Sequence, residues 1–177
     1  MSRSNIDIYK TMTKEELIDL LRLYGRLALT IDGLWFLALE RIKGTDEAIR
    51  IDEEIWGQYG KWKGNLLKRF LSVTAVNSLE DICRCYLLTP IFANLGGQAE
   101  IRGDKCYLRV TECYPQKARI SKGLGEFACK GVGMAYFGAL LTVLNPDIRF
   151  RCVVCPPDEH PKEVWCEWEV WIEKNSG

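Results

Sequence analysis

Apolar residues recur at helical spacing through the first half of the chain. In TKEELIDLLRLYGRLALTIDGLWFLALERI, Leu17, Leu20, Leu21, Tyr24, Leu27, Ala28 and Ile31 return every three or four positions, the mark of an amphipathic helix. Thr13 followed by Glu16 is the pattern of a capping box, so the helix should open there. Asp32-Gly33 predicts a kink or a split. Trp35, Phe36 and Leu39 carry the apolar face onward, and Gly44 should end it. TDEAIRIDEEIWGQYGKWKGNLLKRFLSV reads as a second helix, with Ile55, Trp56 and Tyr59 on one side. Its acidic start and basic end suit the helix dipole. SLEDICRCYLLTPIFANL predicts a shorter third helix, capped by Ser78 and ending near Pro90.

The pattern changes at Gly96-Gly97. QAEIRGDKCYLRVTECYP alternates as two strands about a turn at Gly103-Asp104. PQKARISKGLG is a short helix or loop. EFACKGVGMAYFGALLTVLNP returns to helical character with small residues Gly131, Gly133, Ala135 and Gly138, which allow close packing against a sheet or another helix. DIRFRCVVC and EVWCEWEVWIEK are strands, the second with Val164, Cys166, Trp168, Val170 and Ile172 on one face. Helices followed by hairpin, helix, strand and strand predict an α+β fold: a helical N-terminal half packed on a small antiparallel sheet that ends in a Cys-rich hairpin. The expected organisation is a single α+β domain over residues 1–177, with 1–95 the helical part and 96–177 the sheet part.

Composition narrows the function classes. Lys plus Arg equals Asp plus Glu at 24 each, so no basic excess points to nucleic acid. No apolar run approaches the ~20 residues of a membrane span. MSRSNIDIYKTMTKEEL lacks the apolar core of a secretion signal, so the expected compartment is the cytoplasm. In a reducing compartment the eight cysteines point to metal or reactive thiols more than to disulfides.

CVVCPPDEHPKEVWC, Cys152 to Cys166, concentrates the candidate chemistry. Cys152 and Cys155 have C-x-x-C spacing at a strand end before Pro156-Pro157, which lets two thiolates turn onto one tetrahedral metal. Redox chemistry and plain packing are the other readings of that spacing. Cys166 opens the returning strand beside them. Cys129, at the start of the glycine-containing helix, is the best-placed fourth ligand, since a helix N-terminus favours thiolate. Cys113 and His160 are reserves, and His160, between an acidic pair and a proline, is expected to be a solvated loop residue. Cys83, Cys85 and Cys106 are expected to pack.

From YLRVTECYPQKARISKGLGEFACKGVGMAYFGALLTVLNPDIRFRCVVCPPDEHPKEVWCEWEV the chain resembles a 4-vinyl reductase domain, a small-molecule-binding module. In that family a cysteine opens a glycine-containing helix, and acid-x-x-Cys, a short loop and a further Cys follow a strand. The resemblance implies that Cys129, Cys152, Cys155 and Cys166 are zinc ligands, with Cys152 in place of the acid and a slightly longer loop before Cys166. The N-terminal helices, through LYGRLALTIDGLWFLALE and IDEEIWGQY, are similar to small uncharacterised prokaryotic proteins distantly similar to the amino-thiazoline carboxylic acid hydrolase group. Together these relatives imply a ligand cavity between helices and sheet, and often a dimer.

Trp35, Phe36, Trp56, Tyr59 and Trp62 supply an aromatic helical surface, either core or the wall of such a cavity. Asp32 sits within the apolar stretch and must be paired or functional; Arg26, Arg119 and Lys130 are candidate partners. Cys113 follows Glu112, and Arg119 or Lys117 would lower its pKa. The expected function is therefore a zinc-stabilised, non-catalytic module for a small aromatic or apolar ligand, pocketed by Trp35, Phe36, Trp56 and Asp32. The alternatives are a hydrolase of a small cyclic or amide substrate with Cys113 as nucleophile, short of a histidine base apart from His160, and an iron–sulfur protein.

Overall fold

The computed structural model describes residues 5–173. Helix α1 (Asn5–Lys10) is followed by α2 (Lys14–Lys43), which Thr13 and Glu16 start as their spacing predicts: the Thr13 backbone N–H donates to the Glu16 carboxylate at 2.7 Å and the Glu16 N–H donates to the Thr13 hydroxyl at 3.2 Å. Asp32-Gly33 does not split this helix, which runs unbroken for 30 residues. A Cβ on Gly33 would meet nothing within 4 Å, so the cost of the glycine is conformational, about 1 kcal/mol. A helix of this length absorbs that loss. Gly44, at φ 87°, turns the chain directly into α3 (Thr45–Leu71). Ser78 caps α4 (Leu79–Leu87) through the Asp81 N–H. Pro90 opens α5 (Pro90–Ala93) rather than closing α4, because a proline at the first helical position forfeits no hydrogen bond.

Strands β1 (Gly97–Arg102) and β2 (Lys105–Val110) form the predicted hairpin, with Gly103 at φ 61° in its two-residue turn. Helix α6 (Tyr114–Ser121) and helix α7 (Lys130–Leu144) precede β3 (Ile148–Val154) and β4 (Cys166–Ile172). Lys174, the last residue of the strand expected from the sequence, lies outside the described residues, as do residues 1–4 of the leader reading. The sheet is antiparallel in the order β1-β2-β4-β3. The α+β class is as expected from the pattern. The two parts share one core: α4 lies on β1 and β2, and α7 on β3, around Leu108, Phe137, Trp168 and Val170.

Two features set the interior. Helix α3 packs along α7 at unusually short range, because Gly60 and Gly64 face it. A Cβ on Gly60 would stand 2.6 Å from the Tyr136 carbonyl oxygen, and one on Gly64 2.8 Å from Val143 Cγ1. The far face of the sheet is held by charge. Glu169, 3% exposed, is covered not by apolar core but by its own partners: Lys105 at 2.8 Å, Arg151 at 3.0 Å and the Tyr107 hydroxyl at 3.1 Å.

Helix α2 is the least buried long element. Tyr24, Ile31, Trp35 and Ile42 are all exposed, and with Ala28 and Ala38 they repeat at alternating three- and four-residue steps. Trp35 is 73% exposed and Trp62, on α3, 71%. The expected aromatic surface therefore divides: Trp56 turns inward onto Tyr136, with ring centroids 5.6 Å apart, Tyr59 stacks on the same ring at 6.1 Å while remaining partly exposed, and Trp35 and Trp62 turn outward.

The hydrogen bonds from Lys105, Arg151 and Tyr107 hold the Glu169 carboxyl down at about 2, below its ordinary 4.5. A depressed acid stabilises the fold above the unfolded pKa and ceases to do so as pH falls through the folded one. Urea midpoints should therefore decline from about pH 5 to about pH 2. Glu169→Gln should lower the midpoint at pH 7 and flatten that acid limb.

Candidate functional site

A cavity of about 160 Å³ lies between the helices and the sheet. Leu29 and Asp32 of α2, Asp52, Trp56 and Tyr59 of α3, and Phe92 of α5 form one side. Val132, Tyr136 and Phe137 of α7 and Trp168 of β4 form the other. Cys113, Cys129, Cys155 and Cys166 line it as well. The walls are therefore largely aromatic, and they also carry two carboxyls and a group of sulfurs.

Asp32 and Asp52 sit where spaces meet. Both line this cavity, a neighbouring one of about 130 Å³ beside Phe36, Phe127 and Arg119, and the cleft between α2 and α3 that Trp35 and Phe36 border. Burial raises the Asp32 carboxyl to about 6. Burial, and then the charge of Asp32, raise Asp52 to about 7. A hydrogen bond with the Trp56 side chain opposes both shifts, and the indole N–H is the donor. None of the three cations expected for Asp32 is its partner. Arg26 stacks 3.2 Å above the Tyr114 ring centroid. Lys130 pairs with Asp158 at 2.8 Å. Arg119 pairs in bidentate fashion with Glu40 at 2.8 and 3.0 Å, between the rings of Phe36 and Phe127. Its buried Nε is left without a hydrogen-bond partner. The sequence reading overlooked Asp52, although its position four residues before Trp56 puts it on the same stripe.

The thiols are assembled by backbone. Cys129 stands at the N-cap of α7 and Cys155 directly after β3, with their sulfurs 3.6 Å apart. The Cys166 thiol, at the start of β4, stands near enough to raise the pKa of Cys155 as well. Gln116, fully buried on α6, fixes the approach. Its amide donates to the Phe127 carbonyl at 2.9 Å and to the Cys129 sulfur at 3.4 Å, and accepts from the Phe127 N–H at 3.0 Å. Nothing in the local sequence marks Gln116, because its partners belong to a loop that only the fold brings near. Hydrogen bonds from Cys155 and Gln116 lower the pKa of Cys129. Cys155, close to both neighbouring sulfurs, is pushed far up, so in its pair with Cys129 the latter takes the charge and Cys155 keeps the proton.

Cys152 lies close enough to feel Cys129 and Cys166, and burial pushes it up to about 11, but it does not line the cavity. Cys113 does. Burial pushes its thiol up to about 12, opposite to the lowering expected from Arg119 or Lys117, which pair instead with Glu40 and Glu112. All eight cysteines are free thiols. Cys85 and Cys106 are buried, as packing predicts, and the thiol of Cys83 hydrogen-bonds that of Cys106. His160 is not a solvated residue. Its side chain is 11% exposed, leans on Trp165 at 5.0 Å between centroids, and reaches Glu126 at 3.5 Å.

Among the described residues no group of three or more His, Cys, Asp or Glu side chains is arranged to hold a metal ion. The donor chemistry of the cluster nonetheless suits a soft divalent ion. Zinc–sulfur bonds of about 2.3 Å in a tetrahedron put neighbouring sulfurs about 3.8 Å apart, close to the 3.6 Å between Cys129 and Cys155. No helix among the described residues is long and apolar enough to cross a membrane.

The model of one protein family, described as a family of unknown function (DUF6125), matches residues 10–172. No curated protein and no solved structure matches the chain.

Raised carboxyls stabilise the fold below their unfolded pKa and cost it stability as pH rises through their folded values. Asp52→Asn should therefore make the protein more resistant to urea at pH 8, by about 1–2 kcal/mol after allowance for its partial exposure. The gain should vanish below about pH 4.

Proposed function

This chain belongs to the DUF6125 family, and from that membership, which carries no activity with it, we propose that it is a module that binds a small, ring-bearing organic molecule in the cavity between α3, α7 and the sheet. The observation that carries the reading is the cavity itself: about 160 Å³, walled by Trp56, Tyr59, Phe92, Tyr136, Phe137 and Trp168. An apolar cavity of about 150 Å³ holds a benzene-sized guest. Aromatic walls favour a flat ring through stacked and edge-on contacts. Asp32, Asp52 and the Trp56 indole stand ready for a polar substituent.

The thiol cluster belongs to the same proposal as a brace. Cys129, Cys155 and Cys166, with Cys152 or Cys113 completing the set, would hold zinc and tie the start of α7 to the β3–β4 loop. Bound there, zinc would supply folding energy, and four thiolates would leave no position open for a substrate. Support comes from the 3.6 Å approach of Cys129 to Cys155, the nearness of Cys166 to Cys155, and the lowered Cys129. The same three positions are what favours kinship with the 4-vinyl reductase domains. Cys113 suits a hydrolase poorly, since a thiol pushed up to about 12 supplies little thiolate at neutral pH.

A second copy is the natural cover for α2. Its exposed seam of Tyr24, Ile31, Trp35 and Ile42 has the three-four spacing of a helix that pairs with another, and an apolar stripe of that length is unusual on a lone molecule.

Purified protein is expected to be colourless and to carry about one zinc per chain by elemental analysis. Iron with visible absorption would replace zinc by a cluster, and neither metal would remove the brace from the proposal. Titration with phenol or indole should change the fluorescence of the buried tryptophans and raise the melting temperature. Val132→Phe, which fills the cavity, should weaken that response about tenfold or more, since a guest of this size binds by filling the space. Unchanged melting with every ring compound tried would refute the cavity reading. Light scattering should give twice the chain mass, and Ile31→Glu with Trp35→Glu should halve it.

A further inference from the structure

The residue that the cavity proposal leaves unused is Lys63. It is 7% exposed on α3, and it lies between Gly60 and Gly64, the positions where α3 comes closest to α7. That approach draws the side chain inward. Its Nζ donates to the Tyr136 hydroxyl at 2.6 Å and stands 5.3 and 5.4 Å from the ring centroids of Phe92 and Tyr136. Among the described residues it has no ion pair. The titratable groups facing it are Tyr136 from α7 and Cys85 from α4, and α5 offers only Phe92, Pro90 and the neighbouring Thr89. Lys63 also lines a groove of about 260 Å³, which adjoins the cavity above at Tyr59 and Thr89, with Trp62, Leu66, Phe70, Leu88 and Pro90.

A lysine is long enough to reach water from almost any surface position, and burying its ammonium without a carboxylate is costly. Desolvation lowers its pKa from 10.5 to about 7. Free amine is then present near neutral pH, in contact with the Tyr136 hydroxyl. From the buried amine without an ion pair in the lining of an apolar groove, we infer that Lys63 is an imine-forming site for a small apolar aldehyde or ketone.

The lone pair of Nζ attacks the carbonyl carbon, forming the C–N bond while the C=O π pair moves to oxygen. One amine proton passes to that oxygen, and the Tyr136 hydroxyl is placed to relay it. The C–O bond of the carbinolamine then breaks, oxygen leaves as water with the second amine proton, and the C=N bond remains. Nothing is oxidised or reduced, and water is the only other product.

The test is reductive trapping on the full-length native protein: benzaldehyde with sodium cyanoborohydride, followed by peptide mapping. At pH 7.4 a surface lysine near 10.4 is free amine about once in a thousand, so Lys63 should be labelled about tenfold or more faster than any other lysine. Its labelling rate should rise through pH 7 and level off well below pH 9. Lys63→Met, checked for folding by circular dichroism, should show only the slow background. Labelling spread over surface lysines with Lys63 silent would overturn the inference. So would labelling of Lys63 that climbs only towards pH 10. Both readings come from the wild-type chain, so they decide the matter even if Lys63→Met fails to fold.

Discussion

The close approach of α3 to α7 organises everything on the helical side of the molecule. It exists because two side chains are missing: a Cβ at Gly60 would meet the Tyr136 carbonyl, and one at Gly64 would meet Val143. Each glycine in a helix interior costs about 1 kcal/mol in conformational freedom. That cost is offset by the packing it permits along nearly the whole length of α7. With the axes that near, Trp56 and Tyr59 are carried onto the Tyr136 ring, and Lys63 onto its hydroxyl. Tyr136 thus serves two places at once. Its ring helps wall the proposed ligand cavity, and its oxygen holds the amine of the adjoining groove.

On the sheet side the organiser is a polar network rather than a bare approach. Gln116 closes around the backbone of Phe127 and holds the Cys129 sulfur. The next residue, Lys130, donates its N–H to the Pro156 carbonyl at 3.0 Å and pairs with Asp158, whose carboxylate also accepts from the Cys155 N–H at 3.3 Å. The start of α7 is therefore bound to the β3–β4 loop by hydrogen bonds that do not involve sulfur. The thiols meet because the backbone brings them together. An ion there would add to a preformed contact, which keeps the ordering cost of binding low.

Much of this was legible in residue order, and the failures have physical causes. Caps read correctly because they are local: Thr13 with Glu16 and Ser78 with Asp81 need only neighbours three residues away. The hairpin turn and the strands followed from period-two alternation for the same reason. The meeting of Cys129 with Cys155 and Cys166 was legible because a helix start, a strand end and a strand start must lie near one another when the strands are adjacent. What failed needed tertiary knowledge. Helix α2 has apolar residues on two faces, so periodicity alone could not say that Trp35 faces outward while Leu29 faces the core. The kink expected at Asp32-Gly33 gave way to helix continuity. Asp32 was matched to cations by charge type, yet Arg119 is taken by Glu40 from 79 residues away, and no spacing rule reveals that pairing. Cys113 was assigned an activating cation by proximity in sequence, while desolvation, a property of the assembled core, moved it the other way. Lys63 carried no mark at all, because its burial depends on glycines whose role is visible only once α7 is alongside.

The carboxyl pair gives the strongest physical argument that the cavity is more than a packing defect. Asp32 and Asp52 come from different helices and share one indole; burial raises both, and the charge of Asp32 raises Asp52 further. At neutral pH the fold carries them at a loss, because an ionised carboxylate is desolvated beside a second acid, and among the described residues neither has an ion pair. Asparagine at either position would keep the hydrogen bond from Trp56 and remove the repulsion. Local chemistry that opposes stability is expected where a site needs it and nowhere else. Here it coincides with the junction of three spaces, with aromatic walls on one side and the unpaired Arg119 Nε in the neighbouring chamber. A guest with a ring and a polar substituent would bury its ring among Trp56, Tyr136 and Phe137 and present the substituent to this corner, relieving a part of the interior that folding alone leaves unsatisfied.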